Sequence, residues 1–64
     1  MMEEELRQLL KEHGWSLYKA KRREREFYYA LKWKQDQIYI TSGTKLPTIT
    51  AEEVLQKIGA SEDR

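Results

Sequence analysis

The sequence contains no cysteine, a single histidine and only three glycines among its 64 residues. Without cysteine the chain can form no disulfide, no thiolate metal site and no thiol nucleophile. The one histidine, His13, falls at a predicted helix end, where a histidine usually interacts with the last helix carbonyls. The glycines fall at the ends of predicted elements and form no phosphate-cradling loop. We therefore expect a protein that is not an enzyme and that uses no metal or cofactor.

The sequence also has no hydrophobic run approaching the roughly 20 residues that cross a membrane. It shows no secretory signal segment either, so we expect a cytoplasmic protein that does not bind membranes. A chain of this length has room for one small domain, over residues 1–64. Fraying is expected at its ends, residues 1–2 and 60–64.

The sequence is rich in charged residues, at 36%, and all seven of its aromatic residues fall between residues 15 and 39. Residues 15–34 contain seven Lys or Arg and two Glu, a net charge of +5, although the whole chain has a net charge of only +1. The stretches on either side, 1–14 and 35–64, are each net −2. A nearly neutral protein with one basic stretch can still bind a polyanion there.

Two amphipathic helices are predicted, one near each end of the chain. The first covers residues 3–13, with glutamates in its first turn and a glycine directly after it. The second covers residues 51–58, with a capping box of Thr50 and Glu53 before it and Gly59 as its end. The stripe predicted for the first helix comprises Met2, Leu6, Leu9, Leu10 and His13, and the buried stripe of the second comprises Val54, Leu55 and Ile58. Leu46 and Ile49, before the second helix, are expected to close the edge of the core.

Three strands are predicted at residues 15–21, 26–34 and 37–41, from alternating apolar and polar residues. A two-residue loop at Gln35-Asp36 would pair Leu31 with Ile40, Trp33 with Ile38 and Lys32 with Tyr39. For the turn within residues 22–25 we favour an odd number of loop residues. Only an odd loop places Trp15 and Leu17 on the same face as Phe27 and Tyr29.

The element order α-β-β-β-α predicts an α+β fold, in which two helices pack on one face of a three-stranded antiparallel sheet. The covered face is expected to hold Trp15, Leu17, Phe27, Tyr29, Leu31, Trp33, Ile38 and Ile40. The solvent-exposed face is expected to hold Tyr18, Arg22, Tyr28, Lys32, Lys34 and Tyr39, with Ala20 and Ala30 between them.

Cations and rings on one exposed face are typical of nucleic-acid-binding surfaces, because cations neutralise phosphates and rings stack on bases or sugars. We therefore predict a non-catalytic protein that binds DNA or RNA. The predicted contact residues are Tyr18, Arg22, Arg23, Arg25, Tyr28, Lys32, Lys34 and Tyr39. Two alternatives remain open. The same face can bind a protein partner or a second copy in a homodimer, or its Lys and Tyr can simply form a solvated sheet surface.

Part of the sequence resembles a short uncharacterised module of bacterial, mainly cyanobacterial, proteins. The matching residues are Gly14-Trp15, Leu17-Tyr18-Lys19, Lys21 to Arg25, Tyr28-Tyr29-Ala30, Tyr39-Ile40 and Lys45-Leu46. This resemblance covers about half of the chain and implies no particular function.

The element order is also similar to that of two kinds of nucleic-acid-binding domain. Double-stranded-RNA-binding domains share the order, but their second helix begins with lysines, where this chain has Glu52 and Glu53. Integrase arm-type and plant ethylene-response DNA-binding domains have three strands followed by a helix and read DNA with the sheet. This resemblance implies contacts at Tyr18, Arg22, Tyr28, Lys32, Lys34 and Tyr39.

Overall fold

The computed structural model describes residues 1–32 and 36–62, the last two by their backbone only, and confirms the predicted α+β class. The elements are α1 (Glu3–Glu12), β1 (Trp15–Arg22), β2 (Arg25–Lys32), β3 (Gln37–Ser42) and α2 (Ala51–Glu62). The strands form one antiparallel sheet in the order β1-β2-β3. Within the described residues, neither helix is long and apolar enough to cross a membrane.

Helix α1 begins where the sequence supplies negative charge and a cap. Glutamates fill its first turn, where they interact favourably with the helix dipole, and the Glu5 Oε1 atom accepts a 3.2 Å hydrogen bond from the Met2 amide. Leu6 and Leu10, one turn apart, are fully buried. Gly14 has a φ of +81°, a left-handed conformation that favours glycine, and it turns the chain into β1 as predicted.

Helix α2 begins as predicted but ends later. The Thr50 Oγ1 atom accepts a 3.2 Å hydrogen bond from the Glu53 amide, which confirms this half of the capping box. The helix continues through Gly59 to Glu62, so the predicted end at Gly59 is wrong, and 60–62 are helical where fraying was predicted. A glycine inside a helix costs only about 1 kcal/mol, which is too little to end the helix by itself. Residues 63–64 lie outside the described part.

The buried core lies between the sheet and the two helices. It comprises Leu6, Leu10, Trp15, Leu17, Tyr28, Ala30, Ile40, Leu46, Ile49, Val54 and Ile58. The burial of Leu46 and Ile49 confirms the prediction that the loop before α2 closes the edge of the core. Leu55, predicted to be buried, is instead exposed on the outer side of α2. At residue 1, where fraying was predicted, the Met1 amino group donates hydrogen bonds to the carbonyls of Leu46, Pro47 and Ile49.

The first hairpin turns through two residues, Arg23 and Glu24, so the predicted odd loop is wrong. Both have a positive φ, +51° and +68°, as the two central residues of a type I′ turn require. This turn type is favoured in two-residue hairpins because its twist matches that of the strands. Its even length places Leu17 opposite Ala30 and reverses the predicted orientation of β2.

The reversal exchanges the two faces of β2. Trp15 and Leu17 point into the core, so Ala30, opposite Leu17, points there too and is 0% exposed. Phe27, Tyr29 and Leu31 lie on the other face, where they are half-buried; predicting them for the covered face was wrong. The prediction that Ala30 lies on the solvent-exposed face is also wrong, because that position faces the helix layer.

The pairing of β2 with β3 also differs from the prediction. Leu31 lies opposite Gln37 rather than Ile40, and the register shifts by one residue between Tyr28 and Tyr29. This β-bulge turns two consecutive residues of β3, Ile40 and Thr41, toward the core, where both are buried. Residues 33–35 lie outside the described residues, so the predictions for Trp33, Lys34 and Gln35 are not addressed by the structure.

The sheet surface turned away from the helices is here called the open face. Its described strand residues are Ser16, Tyr18, Ala20, Arg22, Arg25, Phe27, Tyr29, Leu31, Gln37, Tyr39 and Ser42.

The two-residue turn leads to a first prediction. Glu24 has an L side chain at a φ of +68°, a conformation that glycine adopts without a steric penalty. We expect Glu24→Gly to raise the free energy of unfolding by about 1 kcal/mol in urea denaturation. Glu24→Ala is the matched control, because it removes the carboxylate but keeps a Cβ. An equal gain from both variants would assign the effect to charge and contradict the backbone explanation.

Candidate functional site

Four aromatic side chains, here called the ring row, cross the open face from one edge of the sheet to the other. They are Tyr18 in β1, Tyr29 and Phe27 in β2, and Tyr39 in β3. The Tyr18 and Tyr29 rings are stacked, with centroids 5.6 Å apart and an interplanar angle of 19°. Phe27 lies 6.2 Å from Tyr29 and 6.4 Å from Tyr39, between centroids. The ring row is therefore one continuous aromatic surface.

The two ends of the ring row are the most exposed. Tyr18 is 45% and Tyr39 is 56% exposed, whereas Phe27 and Tyr29 between them are half-buried. The Lys57 Nζ atom, from α2, lies 5.8 Å from the Tyr39 ring centroid. At that distance a cation is attracted to a ring face, and it limits the positions open to the Tyr39 ring. Both ends of the ring row are therefore accessible from solvent.

Three arginines lie at the end of the open face where the first hairpin turns. Arg22 and Arg25 are directly opposite each other on β1 and β2, and Arg23 is the first residue of the turn. All three are exposed. Together with Phe27 and Tyr39 they line a shallow groove of about 690 Å³. The groove therefore joins the cations to one end of the ring row.

None of the described strand residues on the open face has a carboxylate. Glu26 borders the groove, but it belongs to the other face of β2, where its Oε2 atom lies 3.7 Å from the Lys19 Nζ atom. The glutamates of the first turns of α1 and α2 belong to the helix layer. The turn itself adds one carboxylate, Glu24, beside Arg22, Arg23 and Arg25. The arginine end of the open face therefore has a net positive charge.

Tyr28, predicted as a contact residue, lies on the opposite face and is only 6% exposed. Its hydroxyl donates a 2.8 Å hydrogen bond to the Glu3 Oε1 atom and so links β2 to the start of α1. The even turn length is the reason for the wrong prediction, because it turns Tyr28 into the core and Tyr29 out. Tyr28 is therefore a structural residue of the described fold.

The Tyr28–Glu3 hydrogen bond shifts the pKa values of both groups. It lowers the pKa of Glu3 below its ordinary 4.5 and raises the pKa of the Tyr28 hydroxyl above its ordinary 10.0. A lowered carboxyl pKa stabilises the fold above pH 4.5, and this stability is lost as the pH falls through the folded-state pKa. A raised phenol pKa stabilises the fold below pH 10.0, and this stability is lost as the pH rises through the folded-state pKa.

We therefore expect Tyr28→Phe to lower the melting temperature, and the difference from the wild type to be largest between about pH 5 and pH 9. The difference should shrink toward both pH extremes, where one partner has changed protonation. Circular-dichroism melts across the pH range measure it. Tyr18→Phe, which removes a hydroxyl from the open face, is the control and should melt like the wild type. A constant difference at every pH would contradict this role of the hydrogen bond.

The two lysines predicted as contacts are not part of the described open face. Lys32 lies on the helix side of the sheet, where its Nζ atom is 5.7 Å from the Trp15 ring centroid. Its predicted place on the solvent-exposed face is wrong for the same reason as that of Tyr28. Lys34 lies outside the described residues. Of the predicted contacts, the structure brings Tyr18, Arg22, Arg23, Arg25 and Tyr39 to the open face or its turn.

Two central members of the site, Phe27 and Tyr29, were not predicted for the open face. The sequence Phe27-Tyr28-Tyr29 has an aromatic residue at both parities, so alternation alone does not determine which face they occupy. Knowing that Arg23 and Glu24 both have a positive φ would have determined which face Phe27 and Tyr29 occupy. Neither Arg nor Glu indicates such a conformation in the sequence. An Asn-Gly pair at that turn would have predicted the two-residue hairpin directly.

Comparisons of the chain with protein-family models, with curated proteins and with solved structures found no match. The resemblances seen in the sequence therefore stay predictions.

Proposed function

We propose that this protein is a small, non-catalytic nucleic-acid-binding protein that contacts its ligand with the open face. The observation that supports this most is the juxtaposition of the ring row with three arginines on a face whose described strand residues include no carboxylate. Arginine pairs with phosphate through a planar fork of donors. Aromatic rings bind bases or sugars regardless of sequence.

The turn at the arginine end supports the same proposal. Arg23 and Glu24 occupy backbone conformations that cost L residues roughly 1–2 kcal/mol each. Asn and Gly would fit this turn better, so the chain keeps a cation at the hairpin tip at some cost in stability. Such strain is common where a side chain contacts a ligand.

The exposed rings alone would favour self-association through the same face, but the arginines oppose it. In a face-to-face dimer the arginines of one copy would meet the open face of the other. The described strand residues of that face supply no carboxylate to pair with them. Burying such cations without partners is costly. A protein partner with an acidic surface is the second candidate, since Arg and Tyr are common at the centres of interfaces.

Fluorescence anisotropy with a labelled oligonucleotide tests the proposal at two salt concentrations. With about three phosphates of a single strand neutralised, a fourfold rise from ~50 to ~200 mM salt should weaken binding about 18-fold. The dissociation constant of the oligonucleotide should lie near ~10–100 μM at the higher salt, as expected for a single small domain. No binding at the lower salt would overturn the proposal. Salt-independent binding of the oligonucleotide would also contradict it, because binding through phosphate pairing must weaken as the salt concentration rises.

A further inference from the structure

We infer that the open face binds unpaired nucleotides, with bases on the ring row and one backbone phosphate on each of Arg22 and Arg25, an inference that rests on the function proposed above. The ligand is then a single strand rather than a duplex. Three features of the face lead to this conclusion: the residue types at its centre, the size of the ring row and the position of the cations.

The centre of the open face lacks the side chains that read a duplex. Reading base edges in a groove takes Arg, Lys, Asn or Gln at the point of contact, whereas Ala20, Phe27 and Tyr29 occupy the centre here. A duplex keeps its base faces stacked inside the helix, so a flat ring surface finds nothing to stack on. Unpaired bases expose those faces.

The ring row has the size of a few bases. Neighbouring strands lie about 4.8 Å apart, so three strands span about 10 Å. Phe27 and Tyr29 are two residues apart on β2, which is about 7 Å along the strand. A patch of that size accommodates roughly two or three bases, as other sheets that bind single-stranded RNA do. Tyr18, which stacks on Tyr29, lies on the edge strand β1 and is 45% exposed.

The cations give the site a direction. Arg22 and Arg25 lie on either side of the turn. Arg25 is two residues from Phe27 along β2. The opposite end of the described open face holds Ser16, Leu31 and Gln37, none of which is charged. Among the described residues of the open face, a strand that crosses the ring row therefore meets arginines at the turn end alone. This arrangement suits a short segment with its phosphates at the turn and its bases over the rings.

The test compares four labelled ligands at ~50 mM salt. Three are single strands of about eight nucleotides: oligothymidine DNA, oligouridine RNA and an abasic DNA strand that keeps the phosphates. The fourth is a blunt-ended, G·C-rich duplex of about twelve base pairs, which has no unpaired bases. We expect one or both base-bearing single strands to bind at least tenfold more tightly than the abasic strand and the duplex. The better of the DNA and RNA strands then identifies the sugar that the site prefers.

Ring variants locate the effect. Tyr39→Ala and Tyr18→Ala should each weaken binding of the preferred single strand about tenfold and change binding of the abasic strand less than about twofold. Tyr39→Phe keeps the ring and should bind like the wild type. Leu55→Ala, which shortens an exposed apolar side chain on α2, is the matched control and should change neither affinity.

The failures of the two claims are distinguishable. If the duplex or the abasic strand binds as tightly as the base-bearing strands, the inference is overturned while phosphate binding by the open face stands. If no ligand binds at the lower salt, the proposed function fails and the inference with it. Loss of abasic binding in Tyr39→Ala would also contradict the inference, because the ring is assigned to bases and not to phosphates.

Discussion

Arg22→Gln/Arg25→Gln should bind a single-stranded oligonucleotide at least tenfold more weakly than the wild type at ~50 mM salt. The two guanidinium groups are exposed, lie opposite each other next to the turn and line the groove that leads to the ring row. Each phosphate neutralised on a single strand contributes about 0.7 to the slope of log affinity against log salt. Removing both cations should therefore lower the magnitude of that slope from about 2 to about 0.7.

The matched control is Arg7→Gln/Lys11→Gln, which changes the net charge by the same amount. Both residues are exposed on α1, in the layer on the other side of the sheet. Arg7 forms only an exposed ion pair with Glu3, of the kind that contributes little to stability. This variant should bind within about twofold of the wild type and keep the slope. Equal weakening by both double variants would mean that overall charge, and not the open face, determines the affinity.

The second large effect is expected at Ala30, and Ala20 provides its control. The two alanines lie on neighbouring strands and on opposite faces of the sheet. Ala30 is fully buried under the helix layer, whereas Ala20 is half-buried on the open face. Ala30→Lys places a charge with no partner in the core, at a cost of about 3 kcal/mol or more. That cost is comparable to the whole stability expected of so small a domain.

We expect Ala30→Lys to be largely unfolded at 25 °C and Ala20→Lys to remain folded, with its stability changed by about 0.5 kcal/mol or less. Ala20→Lys adds a cation between the arginines and the ring row, so it should also tighten oligonucleotide binding, severalfold at ~50 mM salt. Circular dichroism and anisotropy measure the two effects. A folded Ala30→Lys together with an unfolded Ala20→Lys would mean that the two faces have been assigned the wrong way round.

The fold class could be predicted from the sequence because its strongest signals are local. Leu6 and Leu10 in the stripe of α1, Gly14 and the Thr50 cap each depend on a few neighbouring residues, and each appears in the structure as predicted. In the same stripe Leu9 is only partly buried, and Met2 and His13 are exposed. The number of strands and their antiparallel order follow from the same kind of signal. Nothing in those predictions required knowing which face of a strand is buried.

Which face of the sheet each side chain occupies could not be predicted, because it depends on two features that each change the register by one residue. The first is the length of the turn at Arg23-Glu24, where neither residue type indicates a positive φ. The second is the bulge between β2 and β3, which turns Ile40 and Thr41 to the same side. In a strand with aromatic residues at both parities, one residue of register exchanges every side chain.

The turn length and the bulge explain which of the predicted site residues lie on the open face. Tyr18 and Tyr39 keep their predicted face, because β1 is oriented by Trp15 and Leu17 and the bulge lies beyond Tyr39. Tyr28 and Lys32 change face with the rest of β2, and Phe27 and Tyr29 replace them. The described site is therefore more aromatic than the predicted one, and its cations are arginines gathered at one end.

The most direct test of the central claim, that the open face binds nucleic acid, is an amide and aromatic NMR titration with oligothymidine at ~50 mM salt, repeated at ~200 mM. If the open face binds nucleic acid, the shifted signals belong to the ring row, Arg22, Arg23 and Arg25. The shifts then diminish at the higher salt, while signals of α1 and α2 stay in place. Shifts centred on the helices, or none at the lower salt, would contradict the central claim.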